Sequence, residues 1–179
     1  RAAYHGSRSE PDDVGVSMVI VVNGVDIFCK GANWIPMDAM PQRYSRARYA
    51  QLLGDARLAN MNMIRIWGGG HYERDDFYEI CDELGLMIWQ DFMFACALYP
   101  SYEEFRQETI HEIEYQTKRL RNHPSIALWC GDNEVLGALG WYRDTRKERD
   151  RYVASFERLL AAKEEGVARG GDDRAFWPS

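Results

Sequence analysis

The sequence predicts an α/β chain in which a parallel sheet is linked by helical crossovers. Three observations predict it. Strand-like and helix-like stretches alternate from about residue 26 to the C-terminus. The helix-like stretches carry apolar residues at i, i+3, i+4 and i+7, the repeat of one buried helix face. Glycine or His-Pro stops close them before the next strand-like run. With 179 residues, 46% of them hydrophobic, the chain has enough apolar material for one core.

The elements follow in order. Residues 1–15 are polar and irregular and read as a linker, and 16–22 as a strand too short for a signal peptide or membrane span. Asn23-Gly24 lies between two β-rich runs, which predicts a hairpin, because a type I′ turn needs positive φ at both central residues. A helix is expected over 45–60, with Tyr49, Leu52, Leu53 and Ala56 on one face. The run 61–67 is strand-like and ends at Gly68-Gly69-Gly70. Helix 75–84 shows Phe77, Ile80, Cys81 and Leu84, with Gly85 as its stop, and strand 86–91 follows. A long helix spans 102–121 up to His123-Pro124, then a strand at 125–130. Tyr152, Phe156, Leu159 and Leu160 mark the last helix, beyond a charged, solvated run at 143–151.

Composition removes several function classes. No run approaches the roughly 20 consecutive apolar residues of a membrane span. A net charge of −6 argues against a nucleic-acid grip built on many phosphate contacts. Cys29, Cys81, Cys96 and Cys130 form no C-x-x-C pair, and no N-x-[ST] acceptor is present. They read as small buried hydrophobes in a reducing, cytoplasmic compartment. His5, His71, His111 and His123 show no metal-ligand spacing. Six tryptophans in a chain that is 13% aromatic are an excess, and their placement matters more than their number.

Two parallel architectures fit, a doubly wound open sheet or a (β/α)8 barrel. The first crossover has no G-x-G-x-x-G, and Gly68–Gly70 lacks the G-K-[ST] of a phosphate loop. Four strands are used up by Cys130, so the chain stops well short of the about 250 residues of a complete barrel. Barrel chemistry sits at the C-terminal ends of strands. Those ends read Asn33-Trp34, Arg65-Ile66-Trp67, Trp89-Gln90-Asp91 and Trp129-Cys130-Gly131-Asp132-Asn133-Glu134. Alternation puts Arg65 and Trp67 opposite Ile64 and Ile66, so Arg65 points away from the helices and needs an anion. Taken singly, each has a plain structural reading: a core indole, an ion-pair arginine, a helix-capping Asp91, a solvated Glu134. Four strands ending alike suggest either sugar rings stacked on indoles or aromatic packing around an ion pair.

The stretches KGANWIPMDAMP, NMNMIRIWGGGHYERDDFYEICDELGLMIWQDFMFACALYP and HPSIALWCGDNE resemble β-mannosidases of glycoside hydrolase family two. The resemblance runs from about Val22 to the terminal FWPS. It implies the first half of a (β/α)8 TIM barrel, about four βα units over 22–179. Residues 1–21 would then be the linker and tail of an upstream β-sandwich domain, with the hairpin leading into the barrel. By the same resemblance Glu134 is the general acid/base and Asn133 holds the sugar 2-hydroxyl. Trp67 lines the −1 subsite, Arg65 orients the nucleophile, and Asp91 and Trp34 are further pocket residues. The nucleophile is a second glutamate near the end of the seventh barrel strand, which these residues do not include, so the chain alone is expected to be inactive.

The resemblance further implies a β-mannoside oligosaccharide or glycan as substrate and no metal or organic cofactor. It leaves the remainder of the barrel and flanking β domains as partners, with neither nucleic acid nor membrane. Two departures stand out. The family usually reads WCGNNE, so Asp132 is an extra carboxylate expected to raise the pKa of Glu134 by repulsion. Val135-Leu136-Gly137 also follows where relatives often carry a polar pair. Alternatives are a relative cleaving β-galactosides, β-glucuronides or β-glucosaminides, and a non-catalytic carbohydrate-binding fragment.

Overall fold

The computed structural model describes residues 18–138, 140–141 and 148–179, together with the backbone of Ala2–Tyr4. His5, most of the expected linker over 1–15 and the stretch 143–147 of the charged run lie outside the described residues. Strands β1 (Ala2–Tyr4), β2 (Ile20–Val22) and β3 (Val25–Ile27) form an antiparallel sheet in that order. Val22 pairs with Val25 across the expected two-residue turn. Asn23 and Gly24 there have φ of 52° and 80°, the pair of left-handed conformations that a type I′ turn requires.

A second sheet holds five parallel strands. They are β4 (Gly31–Trp34), β5 (Met63–Ile66), β6 (Met87–Asp91), β7 (Ile126–Cys130) and β8 (Phe176–Trp177). Their spatial order equals their chain order. A doubly wound sheet reverses its order partway. Here there is no reversal, and crossovers of one hand between successive neighbours put every helix on the same face.

The crossover helices are α1 (Arg46–Leu58), α2 (Asp75–Leu84), α3 (Glu103–Leu120), the single turn α4 (Val135–Ala138) and α5 (Arg149–Gly170). Ser45 caps α1, its hydroxyl accepting from the Arg48 amide at 3.2 Å. Asp75 and Asp76 open α2, where carboxylates complement the helix dipole, and Gly85 ends it at φ 69°. Of the stripes, Tyr49, Leu53, Phe77, Ile80, Cys81, Ile113, Leu120 and Leu159 are buried in one core with Ile64, Ile66, Ile88 and Trp129 of the strands. Each of the four long helices thus covers the same sheet face. At α5, Gly166 and Gly170 bring the backbone against Ile113 and Thr117 of α3.

The opposite face carries Met63, Met87 and Leu128, covered by Ile20 and Val22 of the hairpin. Two expectations need correction. β8 is a fifth parallel strand where four were expected, and its two residues are too short to show any period. Cys29 and Cys96 are half-buried rather than buried like Cys81 and Cys130. The strand-end tryptophans do not share a face: Trp34 pairs with Ile66 and Trp129 with Gln90, both on the helix side. No helix among the described residues is long and apolar enough to cross a membrane.

Candidate active site

The helix-free face gathers polar side chains at the C-terminal ends of β4 to β7. Register sets Asn33 beside Arg65 and Arg65 beside Trp89. The Arg65 guanidinium forks onto Asp91, Nε donating to Oδ1 at 3.2 Å and Nη2 to Oδ2 at 2.8 Å. This bidentate match of planar groups is the strongest form of such a pair. Nη2 also donates to Asn133 Oδ1 at 2.9 Å and Nη1 to Asn33 Oδ1 at 3.3 Å. The Trp89 ring lies 5.8 Å from the guanidinium carbon, within cation–π reach.

Asp91 is fully buried and well supplied with donors. Besides Arg65 it accepts from the Gly68 amide at 3.0 Å and from Trp89 Nε1 at 2.9 Å. Burial raises its pKa above the usual carboxylate value, against the opposing pull of Arg65 and these N–H groups. The same carboxylate adds to burial in pushing the Cys130 thiol up to about 12. Arg65 therefore has the anion that alternation demanded.

Asn133 is held on every side. Its amide donates to Phe94 O and its carbonyl accepts from Cys96 N, both at 2.9 Å, beside a bridge between Ala95 and Asn133. A guanidinium can only donate, so Arg65 fixes the Asn133 side-chain oxygen toward itself and leaves Nδ2 to donate on the other side. Nδ2 lies 3.2 Å from Cys96 Sγ. Glu134 follows with φ 57°, a left-handed conformation costly for a residue with a side chain. Its carbonyl accepts from Ala138 to begin α4, its side chain is exposed, and Oε2 sits 3.7 Å from Cys96 Sγ. The result is an immobilised amide beside a solvent-facing carboxyl.

Of the six residues singled out from sequence, Arg65, Asp91 and Asn133 are joined by direct hydrogen bonds, with Glu134 adjacent. Trp67 stands at the margin: it precedes Gly68, and its half-buried indole folds over Gly69, where a Cβ would lie 2.1 Å from the ring. Trp34 is not brought to the group. Its indole packs on Phe77 and Tyr49 at 4.8 and 6.2 Å between centroids and donates to Glu73 at 2.9 Å. Adjacent residues of a strand face opposite ways, and Asn33 takes the inner side.

Asp132 also departs from expectation. Its carboxylate lies 2.6 Å from Lys163 Nζ with both side chains fully buried, so it meets its own counter-charge and is not a free like charge beside Glu134. Sequence reasoning missed Cys96 and Lys163. A loop residue with φ 50° leaves no periodic signal, so Cys96 was not findable. Lys163 was: it falls on the stripe of Phe156, Leu159 and Val167, a charge on an apolar face. Among the described residues no three His, Cys, Asp or Glu side chains group in a way that could hold a metal ion.

No family model matches the chain. It is 46% identical to the β-mannosidase of Bos taurus over 160 residues, 88% of this chain and 18% of that protein. Identity to β-mannosidase B of Emericella nidulans is 48% over 124 residues, 69% of this chain and 15% of that protein. The chain thus spans about a fifth or less of the length of the curated relatives it matches. The crystal structure of β-D-mannosidase from Dictyoglomus thermophilum superposes with a TM-score of 0.88 at 44% identity, covering 99% of this chain and 22% of that one. The exo-chitosanase CsxA of Amycolatopsis orientalis, at 17% identity and a TM-score of 0.71, shares the fold.

Proposed function

This chain is a β-mannosidase homologue along most of its own length, and from that premise we propose that it forms part of a retaining, exo-acting β-mannosidase. The catalytic domain on this reading is a (β/α)8 barrel to which β4 to β8 contribute the first strands. Sequential strand order with all helices on one face supports this, as do the two sheet edges, β4 and β8, that further strands would join. Residues 1–21 would be the linker and tail of an upstream β-sandwich domain.

The observation that carries the reading is the Asn133–Glu134 pair: an amide locked by Arg65 and Phe94 next to an exposed carboxyl at the mouth of β7. Retention uses two carboxyls about 5–5.5 Å apart. Glu134 protonates the departing glycosidic oxygen and then, ionised, takes the proton of the attacking water. A second carboxylate, outside these residues, attacks the anomeric carbon, so this chain alone does not turn over. Asn133 Nδ2 donates to the sugar 2-hydroxyl, a bond that tightens as the ring flattens and so favours the transition state. Trp67 walls the ring. Arg65, neutralised by Asp91, is an oriented donor that aligns the nucleophile rather than a loose charge. Trp34 is left out of the pocket and supports it from the helix side.

The sugar assignment is tested by substrate competition in the full-length protein. A site built around an axial 2-hydroxyl leaves polar groups unpaired when the epimer binds. Aryl β-mannoside should exceed aryl β-glucoside and β-galactoside in kcat/KM by about 10²-fold or more. Preference for a β-galactoside, β-glucuronide or β-glucosaminide would replace the sugar and keep the barrel. Sugar binding without turnover would replace the enzyme with a binding module.

A further inference from the structure

A buried charge pair stands directly behind Glu134 and has no part in the chemistry described above. Lys163, in the middle of α5, is fully buried, its ammonium 2.6 Å from Asp132 Oδ2 and 4.6 Å from the centre of the Phe94 ring. Asp132 is equally buried. Its other oxygen accepts from the Val135 amide at 3.2 Å and from the Ser179 hydroxyl at 2.5 Å. The carboxylate therefore closes a turn from residue 132 to residue 135, and the residues enclosed are Asn133 and Glu134. Phe94, which lies under the ammonium, accepts the Asn133 amide through its carbonyl. One lysine thus touches both segments that meet around Asn133.

Stability alone does not account for such a pair. Desolvating two charges offsets most of their attraction, and apolar residues of equal volume commonly serve as well or better. Burial pulls the Lys163 pKa down and the Asp132 charge opposes that pull. What a charged pair supplies, and a methyl group does not, is direction. The carboxylate is held in the one orientation that caps Val135, and the left-handed backbone at Glu134 needs such external restraint to persist.

We propose that Lys163 is a positioning residue for the Glu134 carboxyl, acting through Asp132 to hold the turn from which Glu134 projects. The inference rests on Glu134 being the acid/base and says what keeps that acid in place. Lys163 touches no substrate. Its loss lets the turn relax and swings the exposed Glu134 off the leaving oxygen, while Asn133 of the same turn keeps its own bonds to Arg65 and to the Phe94 carbonyl.

The test uses the full-length protein with Lys163→Met, which strands Asp132, and with Asp132→Asn/Lys163→Met, which removes both charges and keeps an oxygen for Val135. kcat/KM is measured for phenyl and for 2,4-dinitrophenyl β-mannoside beside the melting temperature. A misaligned acid harms the poor leaving group selectively: the double variant should lose about 10-fold on the phenyl substrate and less than about 3-fold on the dinitrophenyl one, with Lys163→Met losing more on the first. KM for the phenyl substrate should change less than kcat. Equal losses for both substrates, in step with melting temperature, would make the pair structural and overturn the inference, as would a double variant with the parent's leaving-group dependence. If Lys163→Met does not fold, the double variant alone decides. If the unsubstituted protein turns over no aryl β-mannoside, the functional reading fails and this inference falls with it. A parent that is active and loses leaving-group-selective turnover in Glu134→Ala, beside indifferent Lys163 variants, refutes the inference alone.

Discussion

Arg65 shows how far one residue can be read from sequence. Alternation against Ile64 and Ile66 gave its direction, and the cost of an unpaired charge demanded an anion, which Asp91 supplies from the next strand. The pair is interlocked with Gly68, Trp89 and Asn133, so removing Asp91 strands several donors at once. Asp91→Ala should destabilise the protein by about 2–4 kcal/mol, the range for breaking a buried, hydrogen-bonded ion pair whose arginine keeps some solvent access. Urea unfolding measures it, and a loss below about 0.5 kcal/mol would mean that Arg65 rehydrates freely. Trp34 shows where legibility stops. The resemblance alone put it in the pocket, without regard to the facing rule that places Arg65. Applied to Asn33-Trp34, that rule leaves only one of the two inside. The turn at Glu134 had no sequence signature, because nothing in Gly-Asp-Asn-Glu announces φ 57° at the glutamate.

At the scale of elements, helices announced themselves by period and by their ends. The 75–84 stripe between two aspartates and Gly85 coincides with α2, since capping and burial agree there. β8 went unseen because two residues cannot carry a period, and its place is set by pairing with Trp129 and Cys130. Helix contact distance was equally illegible: Gly166 reads as a weak helix position, yet it is where α5 meets α3. A Cβ there would lie 2.7 Å from the Ile113 Cβ, whereas at Gly54 in α1 nothing lies within 4 Å. The same substitution should therefore have opposite signs. Gly54→Ala should stabilise by about 0.5–1 kcal/mol through helix propensity. Gly166→Ala should destabilise by about 1–3 kcal/mol through overpacking. Paired melting curves check both, and stabilisation by Gly166→Ala would show that α5 can shift off α3.

For the whole molecule, the sheet order is sequential, without the reversal of a doubly wound sheet. Sequential order puts every helix on one face and frees the other for polar strand ends, and only that arrangement gathers residues 65, 91 and 133. The core between helices and sheet has a titration consequence. Burial holds the Cys81 thiol and the Tyr49, Tyr72 and Tyr78 phenols above their ordinary ranges, and Cys130 is pushed up to about 12. Above about pH 8.5 the unfolded chain begins to lose protons that the fold retains. Unfolding then releases protons, so the unfolding free energy, undiminished by these groups below that pH, falls as pH rises toward the folded values. Urea midpoints should drop steadily from pH 8 to 11, and a flat profile would mean that these groups are solvated.

The claim on which the account turns is that Glu134 is an acid/base and not a structural carboxyl, and one substitution separates the two. In the full-length protein, Glu134→Ala should cut kcat/KM for a phenyl β-mannoside by about 10²–10⁴, the usual worth of a positioned general acid. A dinitrophenyl β-mannoside, whose leaving group needs little protonation, should lose far less in kcat/KM. Its glycosyl-enzyme should then accumulate for want of a base, and added azide, which needs none, should restore turnover and yield the β-mannosyl azide that two inversions require. A structural Glu134 would give equal losses for both leaving groups, a lowered melting temperature and no rescue by azide, and that result would contradict the account.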